Sequence, residues 1–263
     1  MMSCCGRTAS VVLAVQACVM ASVSEIWLVA QQAHGAGWGL TRAIMAELGP
    51  VVRCDASEAG LSQLMLAKLA RHQIGGSVHE TELRVSSGDT MNGQRLQLAA
   101  VSRQPQPGVV CSRLQGTSVV TGGTGSLGLL TSGWMTQHGA ASLLLLSRSG
   151  RLAQGADVHW VAASASCQEL CVELCDVVIA SQVHCCLESS KVAGMVHSAG
   201  VLADALLINQ NQAGLQRVWA PKAEAAWSLH RGSQQQQRQS QLGLFVLFSS
   251  VACLLYTSPS PRD

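Results

Sequence analysis

The stretch Thr117-Ser118-Val119-Val120-Thr121-Gly122-Gly123-Thr124-Gly125-Ser126-Leu127-Gly128 constrains this chain more than any other. β-Branched residues run into a cluster of glycines, and an amphipathic run, Leu129 to His138, follows. The pattern predicts a buried strand that turns sharply and opens a helix. Gly123, Gly125 and Gly128 stand in G-x-G-x-x-G spacing. In a strand–turn–helix unit the first two glycines let the backbone turn and approach a pyrophosphate, and the third lets the helix pack close to the strand. The phosphates then sit at the helix N-terminus, where free amides and the helix dipole favour negative charge. The candidate binding residues are Thr121, Gly122, Gly123, Thr124, Gly125, Ser126, Leu127 and Gly128. A bare match of this kind also fits a simple turn; the strand before it and the helix after it favour a dinucleotide.

The next strand bears on which dinucleotide. Ala141 to Leu146 is an apolar run that ends in Ser147-Arg148-Ser149-Gly150. A site that selects NAD puts an acid at the end of this strand to bind the ribose hydroxyls. Arg148 stands there instead, where a guanidinium pairs with a 2′-phosphate. The expected cofactor is therefore NADPH, with Ser147 and Arg148 in its site. The other reading of Arg148 is a solvated loop residue.

Three further segments carry a resemblance. Val192 to Leu202 reads as a strand ending in His197-Ser198-Ala199-Gly200. Val218 to His230 reads as a helix with one lysine, Lys222. Leu244 to Ser250 reads as a strand ending in two serines, Ser249 and Ser250. With the glycine turn, these segments resemble the ketoreductase (KR) domain of type I polyketide synthases, within the short-chain dehydrogenase/reductase superfamily, across Thr117 to Ala252. The resemblance implies an α/β fold: a Rossmann-like, doubly wound parallel sheet, truncated at its C-terminal end, after a smaller Rossmann-like structural subdomain. Upstream, Glu25 to Val29, the helix around Trp38 to Glu47, and strands over Val78 to Leu83 and Gly93 to Ala99 are similar to that subdomain. The implied division is 1–104 for the structural subdomain, 105–252 for an incomplete NADPH-binding catalytic subdomain, and 253–263 for a tail.

The resemblance also implies a chemistry. The family reduces a β-ketoacyl thioester, carried by phosphopantetheine on an acyl carrier protein, to the β-hydroxyacyl thioester. Other domains of a megasynthase are then partners, and the cytoplasm is the expected location. His197, Ser198, Ala199 and Gly200 join the cofactor site. Asp176, in a Cys-Asp-Val setting after a predicted helix and strand, falls near the adenine; a helix N-cap is the other reading, and the two are compatible. Lys222 and Ser250 correspond to the catalytic lysine and serine, against the plainer readings of a surface lysine and a strand-end turn residue. Ser249 points the opposite way if the strand alternation continues. The acid of the family is a tyrosine. The sequence holds one, Tyr256, with prolines after it, and it is not assigned.

The tail from Cys253 to Asp263 resembles an adaptor sequence read through in frame. The expectation is that the parent enzyme is active and this chain is not. The ketoreductase of a type I fatty acid synthase, and a non-catalytic structural module of a megasynthase, remain alternatives. Leu202-Ala203-Asp204 partly matches the Leu-Asp-Asp signature of one stereochemical class; Asp204 also reads as a helix N-cap.

Composition excludes some function classes. A net charge of +2, without a basic run, gives no footprint for nucleic acid. An apolar content of 48% over 263 residues is ample for a core, and the 12% of charged residues is low. Arg7 followed by Val11 to Met20 imitates a signal peptide, but the run is too short to span a membrane, and Val11 to Ala17 matches a helix of the subdomain. Eleven cysteines in a chain of this size fit a reducing compartment. Cys167, Cys171 and Cys175 fall at i, i+4, i+8 before His184, Cys185 and Cys186. Zinc sites usually show closer C-x₂-C pairs, so no metal site is assigned, and the thiols read as small buried hydrophobes. Gln104 to Gly108 is the expected subdomain connection, and Gly232 to Ser240 an expected solvated loop.

Overall fold

Val119 and Val120, neighbours in the strand before the glycine turn, point to opposite faces and divide the core in two. Residues 4–21, 27–30, 44, 47, 52–56, 82–85, 91–93, 116–236 and 242–250 are described by a computed structural model. They fall into two compact units: Met1–Val101 with Asp204–Gln212 and Ser250–Asp263, and Ser102–Ala203 with Ala213–Ser249.

The second unit is built on β5 (Thr117–Thr121), the strand that precedes the glycines. Alternating along the chain come α2 (Ser126–Gln137), β6 (Ser142–Ser147), α3 (Asp157–Ser166), β7 (Glu169–Leu174), α4 (Ala180–Glu188) and β8 (Val192–His197). Then follow α5 (Gln212–Trp219), a π-helical turn over Ala220–Glu224, α6 (Ala225–Gln236) and β9 (Leu244–Leu247). The five strands lie in the order β7-β6-β5-β8-β9, and every pair is parallel. The order reverses direction at β5, so the crevice between β5 and β8 is the switch point where such sheets bind ligands.

Helices pack on both faces of the sheet, but on the α2 face the β8–β9 side lines an apolar groove. Val119, Leu144, Leu146 and Met195 pack on one side with Val183, Cys186, Leu187 and Leu229 from α4 and α6. Val120, Leu143, Leu145 and Val196 pack on the other with Leu129 and Met135 of α2. Adjacent residues of one strand thus serve opposite faces, the period-two rule of a pleated strand.

In the first unit, α1 (Cys4–Met20) carries the segment that imitated a signal peptide. No helix among the described residues is long and apolar enough to cross a membrane. β1 (Trp27–Ala30), β2 (Val52–Ala56), β3 (Glu82–Val85) and β4 (Met91–Gly93) form a sheet in that order. β1 to β3 are parallel and β4 is antiparallel to β3. Gln16 donates from Nε2 to the carbonyls of Leu207 (2.6 Å) and Gln210 (3.0 Å). The Leu207 amide donates to the Glu47 carboxylate at 2.5 Å. These bonds tie a short 3₁₀ turn, Leu207–Asn209, to this unit.

Several boundaries differ from the sequence reading. The strand expected over Gly93 to Ala99 begins earlier, at Met91. The helix expected over Val218 to His230 starts at Gln212 and widens to a π turn at Pro221, which has no N–H to give the helix ladder. The glutamines after Gly232 do not start a loop, because α6 continues to Gln236. Asp204 caps no helix: the next turn has Leu206 at its N-cap. β9 stops at Leu247, so strand alternation does not set the directions of Ser249 and Ser250. The helix around Trp38, apart from helical Ile44 and Glu47, lies outside the described residues. So do the Gln104 to Gly108 connection, Tyr256 and the tail.

Candidate functional site

The site is assembled where β5, β6, β7 and β8 end. β5 delivers the chain into Gly122, whose φ of +65° places it in the left-handed region. A Cβ there would stand 2.8 Å from Cα of Ala199, so the turn and the loop after β8 touch backbone to backbone. Gly123 is buried against β6 and its amide donates to the Leu146 carbonyl at 3.2 Å. The Gly125 amide donates to the Gly122 carbonyl at 2.9 Å and closes the turn. Gly128 lets α2 sit on that turn: a Cβ would come within 2.8 Å of Gly123 Cα. The left-handed glycine is thus Gly122, outside the G-x-G-x-x-G triad, while Gly123 and Gly128 serve close packing.

α2 has Gly125 at its N-cap, which offers no side-chain cap. Its first-turn amides have no partner within the helix. They face a cleft of about 420 Å³. Gly122, Thr124, Gly125, Ser126, Leu127 and Gly128 contribute to its wall, as do Ser147, Arg148 and Asp176. Ser198, Ala199 and Gly200 close it from the β8 side.

The rim next to β6 is pinned in place. Thr124 Oγ1 and Ser147 Oγ are 2.7 Å apart. Ser147 Oγ accepts from the Gly150 amide at 3.2 Å, and the Ala153 amide donates to the Thr124 carbonyl at 2.9 Å. The loop carrying Arg148 is therefore tethered at both ends to the glycine turn and the strand. Arg151 also lines the cleft. The strand-end rule identified one arginine; the second is brought round by Gly150, whose φ is +66°. Leu146, Ser149, Ala153, Cys175, Val177 and Pro221 complete the wall and were not identified from sequence.

Asp176 does not cap α4. Ile179 is the N-cap. Asp176 Oδ1 accepts from the Val178 amide at 3.1 Å, closing the turn before the helix, while its own amide donates to Gln182 Oε1 at 2.7 Å.

Three of the expected cofactor residues do not line the cleft. Thr121, Gly123 and His197 are buried. His197 Nδ1 lies 2.7 Å from Thr121 Oγ1 and Nε2 lies 3.3 Å from the Lys222 carbonyl. Burial pushes the His197 pKa below its ordinary value. Ser198 Oγ donates to the Thr121 carbonyl at 2.6 Å.

Lys222 sits in the π-helical turn and donates from Nζ to the Phe248 carbonyl at 3.3 Å. Desolvation lowers its pKa. It is next to Pro221 of the wall but does not line the cleft itself. Ser250 lies past the end of β9 and is exposed.

The cysteines do not share a helix. Cys167 ends α3, Cys171 lies in β7, and Cys175 follows that strand. Cys175 and Cys186 are buried and their thiol pKa values are pushed up by desolvation. Cys171 and Cys185 are exposed, so the buried-hydrophobe reading holds for only part of the set. Among the described residues, no group of three or more His, Cys, Asp or Glu is placed to hold a metal ion.

Comparison with known proteins gives this geometry a setting. The KR domain family model matches residues 116–259. "Chalcone synthase cfoA" of Aspergillus candidus is 33% identical over 243 residues, 88% of this chain and 8% of the relative. The "Spectinabilin polyketide synthase system protein NorA" of Streptomyces orinoci is 35% identical over 215 residues, 76% of this chain and 10% of the relative. A solved "A1-type ketoreductase" superposes with a TM-score of 0.72 at 27% identity, over 92% of this chain and 53% of that one. A structure of A-type ketoreductases from a modular polyketide synthase gives 0.71 at 25% identity, with 92% and 54% covered. This chain thus spans about half of those solved chains and a small fraction of the curated relatives.

Proposed function

We propose, from the premise that this chain belongs to the KR (ketoreductase) domain family, that it binds NADPH and forms part of an enzyme that reduces a β-ketoacyl thioester on an acyl carrier protein. The observation that carries this reading is one cleft with two anion-binding features: an uncapped helix N-terminus and Arg148 on the adjacent wall. The donor set fits a phosphorylated dinucleotide. First-turn amides of α2 hold the diphosphate, with no Cβ on Gly125 to obstruct it. Arg148 pairs with the 2′-phosphate in charge-assisted hydrogen bonds. Asp176 accepts from the exocyclic amine of adenine.

NADPH, when bound, supplies hydride to the carbonyl carbon. The protein's part is to orient the ketone and stabilise charge on its oxygen. Ser250 donates a hydrogen bond to that oxygen, and Lys222 binds the nicotinamide ribose and holds positive charge beside the acid. Tyr256, the one tyrosine of the sequence, is not assigned as that acid. We therefore expect this chain to bind cofactor without turnover. Megasynthase domains and a phosphopantetheine-bound acyl chain are the partners of the parent polypeptide, whose curated relatives are far longer than this chain. Residues 1–104 serve as its structural subdomain.

Fluorescence titration with NADPH and NADH tests the reading. Saturable binding that prefers NADPH supports it, and no binding of either defeats it. Incubation with NADPH and a β-keto thioester surrogate should consume no NADPH; clear turnover would refute the expectation of binding without turnover. A non-catalytic structural module keeps the fold but lacks proton transfer, so turnover by the parent polypeptide, and not cofactor binding, separates the two.

A further inference from the structure

His197 is the last residue of β8 and is paired in register with Thr121, the last residue of β5. Its side chain is 1% exposed. It projects into neither water nor the cofactor cleft. Each of its ring nitrogens instead meets one partner, Thr121 Oγ1 at 2.7 Å and the Lys222 carbonyl at 3.3 Å.

The partners dictate the tautomer. A carbonyl oxygen only accepts, so Nε2 carries the hydrogen. In the neutral ring Nδ1 then accepts, and the Thr121 hydroxyl is its donor. That hydroxyl in turn accepts from the Ala199 amide, at a longer 3.4 Å. A directed chain runs from the loop after β8, through Thr121 and the imidazole, to the backbone of Lys222. Burial keeps the ring neutral, in agreement with the direction of its pKa.

The far end of the chain is the point where the helix ladder is irregular. Pro221 lacks an N–H, and the turn from Ala220 to Glu224 is π-helical. The Lys222 carbonyl accepts from the Ala225 amide within the turn, and the His197 bond adds a second tie to it from outside the helix. The Lys222 stem then passes Gly200 and its ammonium donates to the Phe248 carbonyl. Both contacts lie at the carboxyl ends of strands, β8 and β9.

We propose that His197 is a positioning residue for Lys222: it fixes the carbonyl of the π turn so that the ammonium is presented at the carboxyl edge of the sheet. The significance for reduction rests on the role given to Lys222 above. The coupling of the two residues does not.

The sequence makes the test simple, since it holds three lysines, Lys68, Lys191 and Lys222. The full chain, labelled with ¹³C-lysine and ¹⁵N-histidine, is read by NMR. Lys222→Arg assigns the Lys222 signal. His197 should show the Nε2–H tautomer. His197→Asn is too short to reach the carbonyl, and Thr121→Val removes the hydroxyl that donates to Nδ1 and anchors the ring. Both should move the Lys222 Cε signal and leave that of Lys191 in place, with NADPH affinity down roughly two- to tenfold. His197→Gln, whose amide reaches the position of Nε2, should restore the Lys222 signal toward wild type.

An unmoved Lys222 signal in a folded His197→Asn protein would overturn the proposal, as would the Nδ1–H tautomer in wild type. Where His197→Asn fails to fold, Thr121→Val, which keeps the ring and the side-chain volume, decides in the same way. A wild type that binds no NADPH, but whose Lys222 signal follows His197, supports the coupling and defeats the cofactor assignment alone.

Discussion

A Cβ built on Gly200 would stand 2.6 Å from Cε of Lys222. The loop after β8 and the lysine stem therefore share one space, which only a residue without a side chain leaves open. The clash falls on the end of a flexible side chain, so Gly200→Ala displaces the lysine rather than the fold. NADPH affinity should fall while thermal stability stays within about 1 kcal/mol of wild type. Calorimetry and fluorescence titration on the same sample check both halves.

Arg148 lies on the cleft wall beside Ser147, whose hydroxyl is held 2.7 Å from Thr124 Oγ1. In the proposed binding mode, Arg148→Ala removes a charge-assisted pair with the 2′-phosphate, a group that NADH lacks. NADPH affinity should drop about ten- to hundredfold, with little change for NADH. Equal losses for the two nucleotides would remove the 2′-phosphate assignment.

Gly122→Ala should be costly to the fold itself. The residue has a φ of +65° and lies against the backbone of Ala199. The left-handed region costs an L-residue roughly 1–2 kcal/mol before any displacement of the neighbouring loop is counted. Urea unfolding should show a loss of about 2 kcal/mol or more, unlike Gly133→Ala, where a Cβ meets nothing within 4 Å. Similar midpoints for the two variants would contradict the packing described here.

His197 gives stability a pH dependence with a definite sign. Its pKa in the folded protein is lowered by burial, below the ordinary value of 6.5 that it regains on unfolding. Between these two values the unfolded chain binds the proton and the folded one does not. Stability is full above about pH 6.5 and falls as pH drops toward the folded pKa. His197→Gln, which does not titrate, should flatten that part of the curve in denaturant titrations at several pH values. A slope unchanged in the variant would assign it to other groups.

Some of this was legible in the chain because it depends on neighbours along the chain. The strand before the glycines, the strand ending at Ser147 and the strand ending at His197 were read from short apolar runs bounded by turn residues. All three formed within one or two residues of the reading at their starts. The Arg148 position followed from the same register. Other features were not legible because distant residues decide them. Ser249 and Ser250 looked like the end of a strand, yet β9 stops at Leu247. The glutamine tract looked like a loop, yet Gly232 to Gln236 extend α6, and Ser233 there is buried with its hydroxyl on the His230 carbonyl. Asp176 looked like a helix cap; it closes the turn before α4 instead and stands on the cleft wall.

By itself the amino-acid order determined a parallel sheet with an anion-ready glycine turn at its carboxyl edge, since side-chain alternation and the freedom of a residue without Cβ act over a few bonds. Tertiary structure alone decided which motif residues form the wall and which lie beneath it. His197 and Thr121 sit in a motif that reads as cofactor-binding, but the pairing of β5 with β8 turns them toward each other and toward the carbonyl of Lys222. That outcome depends on strand register and on where a proline widens a helix, and both are settled by contacts between segments far apart in the chain.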